Sequence, residues 1–286
     1  MSGRIDLHTH STASDGLLAP AALVAAAAER GVAVLALTDH DTVAGVAEAA
    51  RSGTRLGVRV VPGLELSCDP GGDVGAGNAD ILGYFVDVDD PDFLALTRRL
   101  RSAREERARA MVEQLRRLGH ELTWDAVLLE AGDGCVGRPH VAQALVAIGA
   151  VPDVAQAFSS LLRRGGPGYV DRRRMTPAEA CRHIRGAGGV PVLAHPVPID
   201  RPYSDPKRLR TFLPPLIGAG LGGLECHYAA YTERVTRWLV VLADHFGLVP
   251  TGGSDYHGPG RSGRELGAAH VPADTVERLE KVAAVR

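Results

Sequence analysis

Closely spaced cysteines, apolar runs of membrane-spanning length and any strong excess of one charge are missing from this 286-residue chain. Cys68, Cys135, Cys181 and Cys226 are scattered, with no CxxC pair. That pattern indicates neither a disulfide framework nor a thiolate zinc site and fits a reducing compartment. The start, Met1-Ser2-Gly3-Arg4-Ile5-Asp6, has no apolar segment ahead of a processing site, so the expected location is the cytoplasm. Neither a membrane nor an obligate protein partner is expected. With 34 acidic against 32 basic residues the formal charge is -2, which points to no polyanion partner but leaves a local phosphate site open. Aromatic content of 5% argues against a long base-stacking platform. Lysine is scarce beside abundant alanine and glycine, which reads as compositional bias.

What is present is an ordinary globular composition, 45% hydrophobic and 23% charged, in a chain long enough for one large core with an inserted smaller unit. Short apolar runs recur, most of them ending in polar clusters: RIDLHTH (4–10), VLALTDHD (34–41), VVPGLELS (60–67), DILGYFV (80–86), VPVLAHP (190–196), GGLECH (222–227) and LVPTGGSDYH (248–257). Helical patterns fall between several of them, at Pro20 to Arg30, Val43 to Arg51, Pro177 to Ala187, Leu209 to Ile217 and Glu233 to Phe246. This alternation predicts an α/β fold with a parallel sheet of roughly seven strands, closed or nearly closed into a barrel. Such folds carry their sites at the carboxyl ends of strands, where the polar clusters lie.

Residues 91–175 break the rhythm with helical patterns at Phe93 to Leu118, Trp124 to Glu130, Arg138 to Ile148 and Val154 to Leu162. We read 1–90 and 176–286 as the barrel and 91–175 as a helical insertion covering its catalytic face. In the long helix, Leu96, Leu100, Ala103, Met111, Leu115 and Leu118 make the expected buried stripe. Arg98, Arg101, Arg104, Glu105, Arg109 and Arg116 are expected to face solvent. Gly71 to Gly77 reads as a glycine-rich turn without the Lys-Ser/Thr ending of a nucleotide-binding P-loop.

His8 and His10 share a strand face with Asp6, and Asp15 follows in the next loop. Later runs add Asp39, His40 and Asp41, then Glu65 beside Ser67, His195, Glu225 with His227, and Asp255 with His257. A lone histidine is commonly a satisfied core residue; so many histidines and carboxylates at strand ends point to metal. The donor types suit Zn²⁺, Mn²⁺ or Fe²⁺ better than Mg²⁺ or Ca²⁺, with Glu65 the most plausible bridge. Such a centre lets water attack phosphorus without a protein nucleophile. Arg138, Arg164 and Arg172 are candidate phosphate holders, with Arg138 favoured over an ordinary surface role.

These segments resemble the PHP superfamily, named for its polymerase and histidinol phosphatase members. Within it they resemble the stand-alone phosphoesterases that act on nucleotide 3',5'-bisphosphates and short oligonucleotides. The resemblance is carried by DLHTHSTASDG (6–16), LTDHDT (37–42), PGLELS (62–67), DILGYF (80–85), GRPHVA (137–142), AHP (194–196) and GSDYHG (253–258). It implies a distorted seven-stranded (β/α) barrel holding two or three divalent ions, Mn, Fe or Zn. It also implies His8, His10, Glu65 and Asp255 as ligands of one ion and Asp15, His40 and His257 of another, with His140 and His195 at the remaining positions. Where the family commonly has histidine this chain has Asp80, read either as a shorter, anionic ligand or as a surface residue at a strand start.

The leading expectation is hydrolysis of the 3'-phosphate of a nucleoside 3',5'-bisphosphate by water activated at the ions. Alternatives are a 5'-3' exonuclease on short 5'-phosphorylated single strands, a histidinol-phosphate phosphatase and a noncatalytic module with a closed structural metal.

Overall fold

The apolar runs become seven strands whose order in the sheet is their order in the chain. The computed structural model describes residues 3–69, 79–172, 174–197, 206–260 and 264–285; Gly71 to Gly77 lies outside the described residues. β1 (Arg4–Thr9), β2 (Val32–Leu37) and β3 (Arg59–Leu66) pair in parallel. β4 (Ile81–Tyr84) corrects the all-parallel expectation, running antiparallel to β3 and to β5 (Val190–Leu193). Among the described residues no helix separates β3 from β4, and strands joined without a crossover helix return in the opposite sense. The reversal has a chemical result: Asp80, preceding β4, lies at the same end as the carboxyl ends of β3 and β5.

β6 (Gly223–Tyr228) and β7 (Val249–Gly253) restore the parallel arrangement. β7 then meets β1, where Asp255 N–H donates to His8 O at 2.8 Å and His10 N–H donates to Tyr256 O at 2.9 Å. The sheet thus closes into a distorted barrel, and the closing seam runs through the histidine pair. Gly253 permits that approach: a Cβ there would lie 2.4 Å from both the backbone N and the Cβ of His8. Gly253→Ala is therefore expected to cost about 1–3 kcal/mol of stability by overpacking the seam. A parental urea midpoint would show that the seam has room to give.

α1 (Pro20–Glu29) and α2 (Val46–Leu56) follow β1 and β2. Between β4 and β5 come α3 (Pro91–Arg117), α4 (Trp124–Ala131), α5 (Arg138–Ala147) and α6 (Val154–Gln156), which passes into a π-helical stretch, Ala157–Leu162. α3 starts where Asp90 caps Phe93 N–H at 2.7 Å and Pro91 occupies the first helical position. These helices enclose an apolar cluster of their own, including Met111, Leu115, Leu122, Val127, Val141 and Leu145. Leu118 is no part of the buried stripe; it follows the last turn of α3 and is 47% exposed.

The remaining helices are α7 (Pro177–Gly186), α8 (Pro206–Gly218), α9 (Glu233–His245) and α10 (Thr275–Ala284), the last without a counterpart in the sequence reading. Among the described residues no helix is long and apolar enough to cross a membrane.

Candidate metal centre

β1 delivers His8 and His10 fully buried at its carboxyl end. The loop that follows is shaped by Asp39, which accepts Ser11 N–H at 2.8 Å, Ser11 Oγ–H at 2.6 Å and Ser14 Oγ–H at 2.6 Å. That brace sets Asp15 beside the histidines, so Asp39 shapes the loop and joins none of the ligand groups. His40 follows β2, Glu65 ends β3, Asp80 precedes β4, His195 follows β5, and Asp255 and His257 follow β7.

Glu65 is the meeting point. Its Oε2 lies 3.2 Å from His8 Nε2, 3.3 Å from His10 Nε2 and 3.3 Å from His40 Nδ1, while Oε1 lies 3.0 Å from His195 Nε2. Asp15 Oδ1 lies 3.4 Å from His257 Nε2. Donor atoms gather in four overlapping groups: His10, Asp15, His40 and His257; His8, His195 and Asp255; His8, His10 and Glu65; and Glu65, Asp80 and His195. Within each group the atoms lie no more than 4.8 Å apart. Ligand bonds of about 2.0–2.2 Å place the donors of one ion roughly 3–4.4 Å apart, so the spacing suits shared ions.

The burial of these groups supplies an independent test of fit. Among the described residues His10 Nδ1, His10 Nε2 and His40 Nδ1 are buried without a hydrogen bond, despite carboxylate oxygens close by. Buried unsatisfied donors and acceptors are costly, and a divalent ion would satisfy them. The several clusters are consistent with a centre of two or three ions.

Electrostatics agree. Burial works to lower the histidines, but the carboxylates outweigh it: Asp255 and Glu65 lift His10 to about 9, and Glu65 and Asp80 lift His195 to about 9. Burial works to raise Asp255, but His8 and His257 hold it at about 2. Burial pushes His40 down to about 4, while burial and the neighbouring Glu65 push Asp80 up to about 7. Protons on histidine thus balance the carboxylates, and ligation must displace them.

The backbone is strained at two of the donor positions. His195 and Asp255 have positive φ, 26° and 53°, and such non-glycine backbone costs on the order of 1–3 kcal/mol each unless its surroundings enforce it. Glu225 enforces part of it, accepting His195 N–H at 2.6 Å and pairing with His8 Nδ1 at 2.9 Å. A carboxylate behind a ligating histidine orients the ring, and its loss typically weakens metal binding by about 10–100-fold. Glu225→Gln is expected to show that loss in a chelator-competition titration; unchanged affinity would make Glu225 a purely structural partner.

Other sequence candidates take different places. His140 is buried, its Nδ1 accepting Gly137 N–H at 3.0 Å at the start of α5, and it joins none of the ligand groups among the described residues. His227 is also outside them. Asp6 accepts Ser254 N–H and Gly267 N–H, each at 2.8 Å, and ties the closing strand in place. Arg164 is 46% exposed and lies 3.9 Å from Asp69.

Beside the ligand cluster lies a pocket whose wall is basic. Asp15, His40 and Asp80 line one side; Arg104, Arg107, Arg138, Arg172, Arg174 and Tyr169 line the rest. The expectation that Arg104 faces solvent is corrected. Its Nε donates to buried Asp41 at 2.5 Å, and Arg172 Nη2 donates to the same oxygen at 2.9 Å. Arg107 and Arg138 form no ion pair among the described residues. Their guanidinium groups lie 4.9 Å and 6.0 Å from the Tyr169 ring, and Arg138 lies 5.0 Å from Phe158. Burial and neighbouring Arg138 pull Arg107 down to about 10. Two partly buried cations without a carboxylate are prepared for an anion. The sequence signal was the spacing of Arg104 and Arg107, three apart on one helix, obscured by interleaved acidic residues.

Comparisons with known proteins converge on one family. The PHP domain matches residues 6–128. The chain is 36% identical over 268 residues to a 3',5'-nucleoside bisphosphate phosphatase of Chromobacterium violaceum, covering 92% of this chain and 90% of the relative. It is 35% identical over 259 residues to a 5'-3' exoribonuclease of Haemophilus influenzae, covering 91% and 92%. A solved amidohydrolase structure from Chromobacterium violaceum, with bound sulfate and no metal, superposes with a TM-score of 0.85 at 32% identity over 96% of each chain.

Proposed function

The chain belongs to the PHP-domain family and is a metal-dependent phosphoesterase, and from that premise we propose that it hydrolyses the 3'-phosphate of nucleoside 3',5'-bisphosphates. The observation that carries the reading is the arginine pocket next to the ligand cluster. A substrate with two phosphates can place one at the ligands and the other between Arg107 and Arg138.

In this reading His8, His10, Asp15, His40, Glu65, His195, Asp255 and His257 hold two or three ions of Mn, Fe or Zn, with Asp80 adding a carboxylate at one position. When bound, the ions make water a competent nucleophile near neutral pH and stabilise charge on the attacking and departing oxygens. The residues of the chain do the rest. Arg107 and Arg138 grip the distal phosphate, Asp41 holds Arg104 and Arg172 in the pocket wall, and the helical segment 91–175 covers the bound nucleotide. Binding energy gained at the remote phosphate orients the reacting one.

A second reading, stepwise 5'-3' exonuclease action, is favoured by the similarity to the Haemophilus protein; the same pocket would take a 5'-terminal phosphate. The test compares a nucleoside 3',5'-bisphosphate, the 3'-monophosphate alone and a short 5'-phosphorylated oligonucleotide under matched metal conditions. Release of inorganic phosphate with 5'-monophosphate, and much weaker turnover of the 3'-monophosphate, is the expected result. A wide kcat/KM advantage for the oligonucleotide, with successive 5'-mononucleotides as products, would replace the bisphosphate assignment with exonuclease action.

A further inference from the structure

The two oxygens of the Asp255 carboxylate have different surroundings. Oδ1 faces three histidines, 3.2 Å from His10 Nε2, 3.4 Å from His257 Nδ1 and 3.5 Å from His8 Nε2. His10 shares one ligand group with His257 and another with His8, and Asp255 is itself grouped with His8 and His195. Oδ2 is turned away and accepts two hydrogen bonds, from Tyr228 O–H and Arg264 Nη1–H, both at 2.8 Å. The Arg264 guanidinium also lies 5.1 Å from the Tyr228 ring centre, so the two donors brace each other.

We propose that Tyr228 and Arg264 are positioning residues that keep Asp255 a one-oxygen ligand, its Oδ1 turned toward the histidines. The inference rests on Asp255 being a metal ligand. Two donors occupy the lone pairs of Oδ2, so chelation of one ion by both oxygens would have to break both hydrogen bonds. The grip also steadies a residue whose backbone sits at φ 53°. Arg264 itself gains little: its Nε is buried without a hydrogen bond among the described residues. A guanidinium kept there with an unsatisfied N–H is held by its carboxylate partner and not by its own solvation. Neither residue lines the arginine pocket.

The test uses metal-free full-length protein titrated with Mn²⁺ or Zn²⁺, followed by calorimetry and elemental analysis, on Tyr228→Phe, Arg264→Gln and Arg264→Lys. Outer partners of this kind typically carry about 10–100-fold in metal affinity. The expected result is a loss of that size at one site for Tyr228→Phe and Arg264→Gln, with Arg264→Lys nearer the parent. Parental affinity and stoichiometry in the first two variants overturn the proposal, whatever happens to Tm. Asp255→Asn, measured alongside, separates the premises. If it keeps its metal, the ligand assignment fails; if it alone loses metal, only the positioning role fails.

Discussion

Glu65→Gln is expected to reduce kcat/KM by on the order of 10³-fold, the scale seen when electrostatic stabilisation of a transition state is removed. Metal content should fall with it. Among the described residues no other carboxylate in the centre faces as many histidines: its two oxygens meet His8, His10, His40 and His195. Those histidines come from the ends of three strands, β1, β2 and β5, so one carboxylate links groups from separate segments of the chain. Glutamine keeps the shape but replaces one oxygen by an amide that donates hydrogen and carries no charge. The histidines would then face a neutral group with less affinity for cations. Elemental analysis and steady-state kinetics on folded protein decide the matter; a variant with a full metal complement and near-parental turnover removes Glu65 from the centre.

Removal of the metal should have a still larger effect. Treatment with a chelator is expected to bring hydrolysis to background, and Mn²⁺, Fe²⁺ or Zn²⁺ should restore it better than Ca²⁺. The donor groups combine imidazole nitrogen with carboxylate oxygen, whereas Ca²⁺ favours six to eight oxygen ligands. Full turnover in protein shown by elemental analysis to be free of metal would end the metallohydrolase mechanism. Restoration by Ca²⁺ equal to that by Mn²⁺ would contradict the proposed donor set.

Much of the centre could be read in advance because its signals are local. His8 and His10 lie two apart at the end of an apolar run, and strand parity alone puts both rings on one face. Glu65, His195, Asp255 and His257 end other runs, which is where parallel strands present their sites. The helical patterns read at Pro20 to Arg30, Pro177 to Ala187 and Glu233 to Phe246 match α1, α7 and α9 to within one residue at each end.

Other features had no local signature. Arg104 looked like any arginine on a solvated helix face until Asp41, 63 residues away in sequence, came to meet it. Glu225 stood out as a carboxylate, but its purpose appears only when β6 sets it against His8, 217 residues distant. Tyr228 and Arg264 carry no motif at all.

Thus the chain's own order of residues determined which side chains could bind metal and which strand ends would carry them, because side-chain alternation and strand length are properties of a few neighbours. Only the tertiary structure decided that β4 runs backwards and brings Asp80 beside Glu65 and His195, that Arg107 and Arg138 gather beside Tyr169, and that Glu225 and Arg264 stand behind His195 and Asp255. Those outcomes depend on groups far apart in the chain meeting as they are buried. The strength of such pairings is set by distance and desolvation in the folded state, quantities that no stretch of sequence carries by itself.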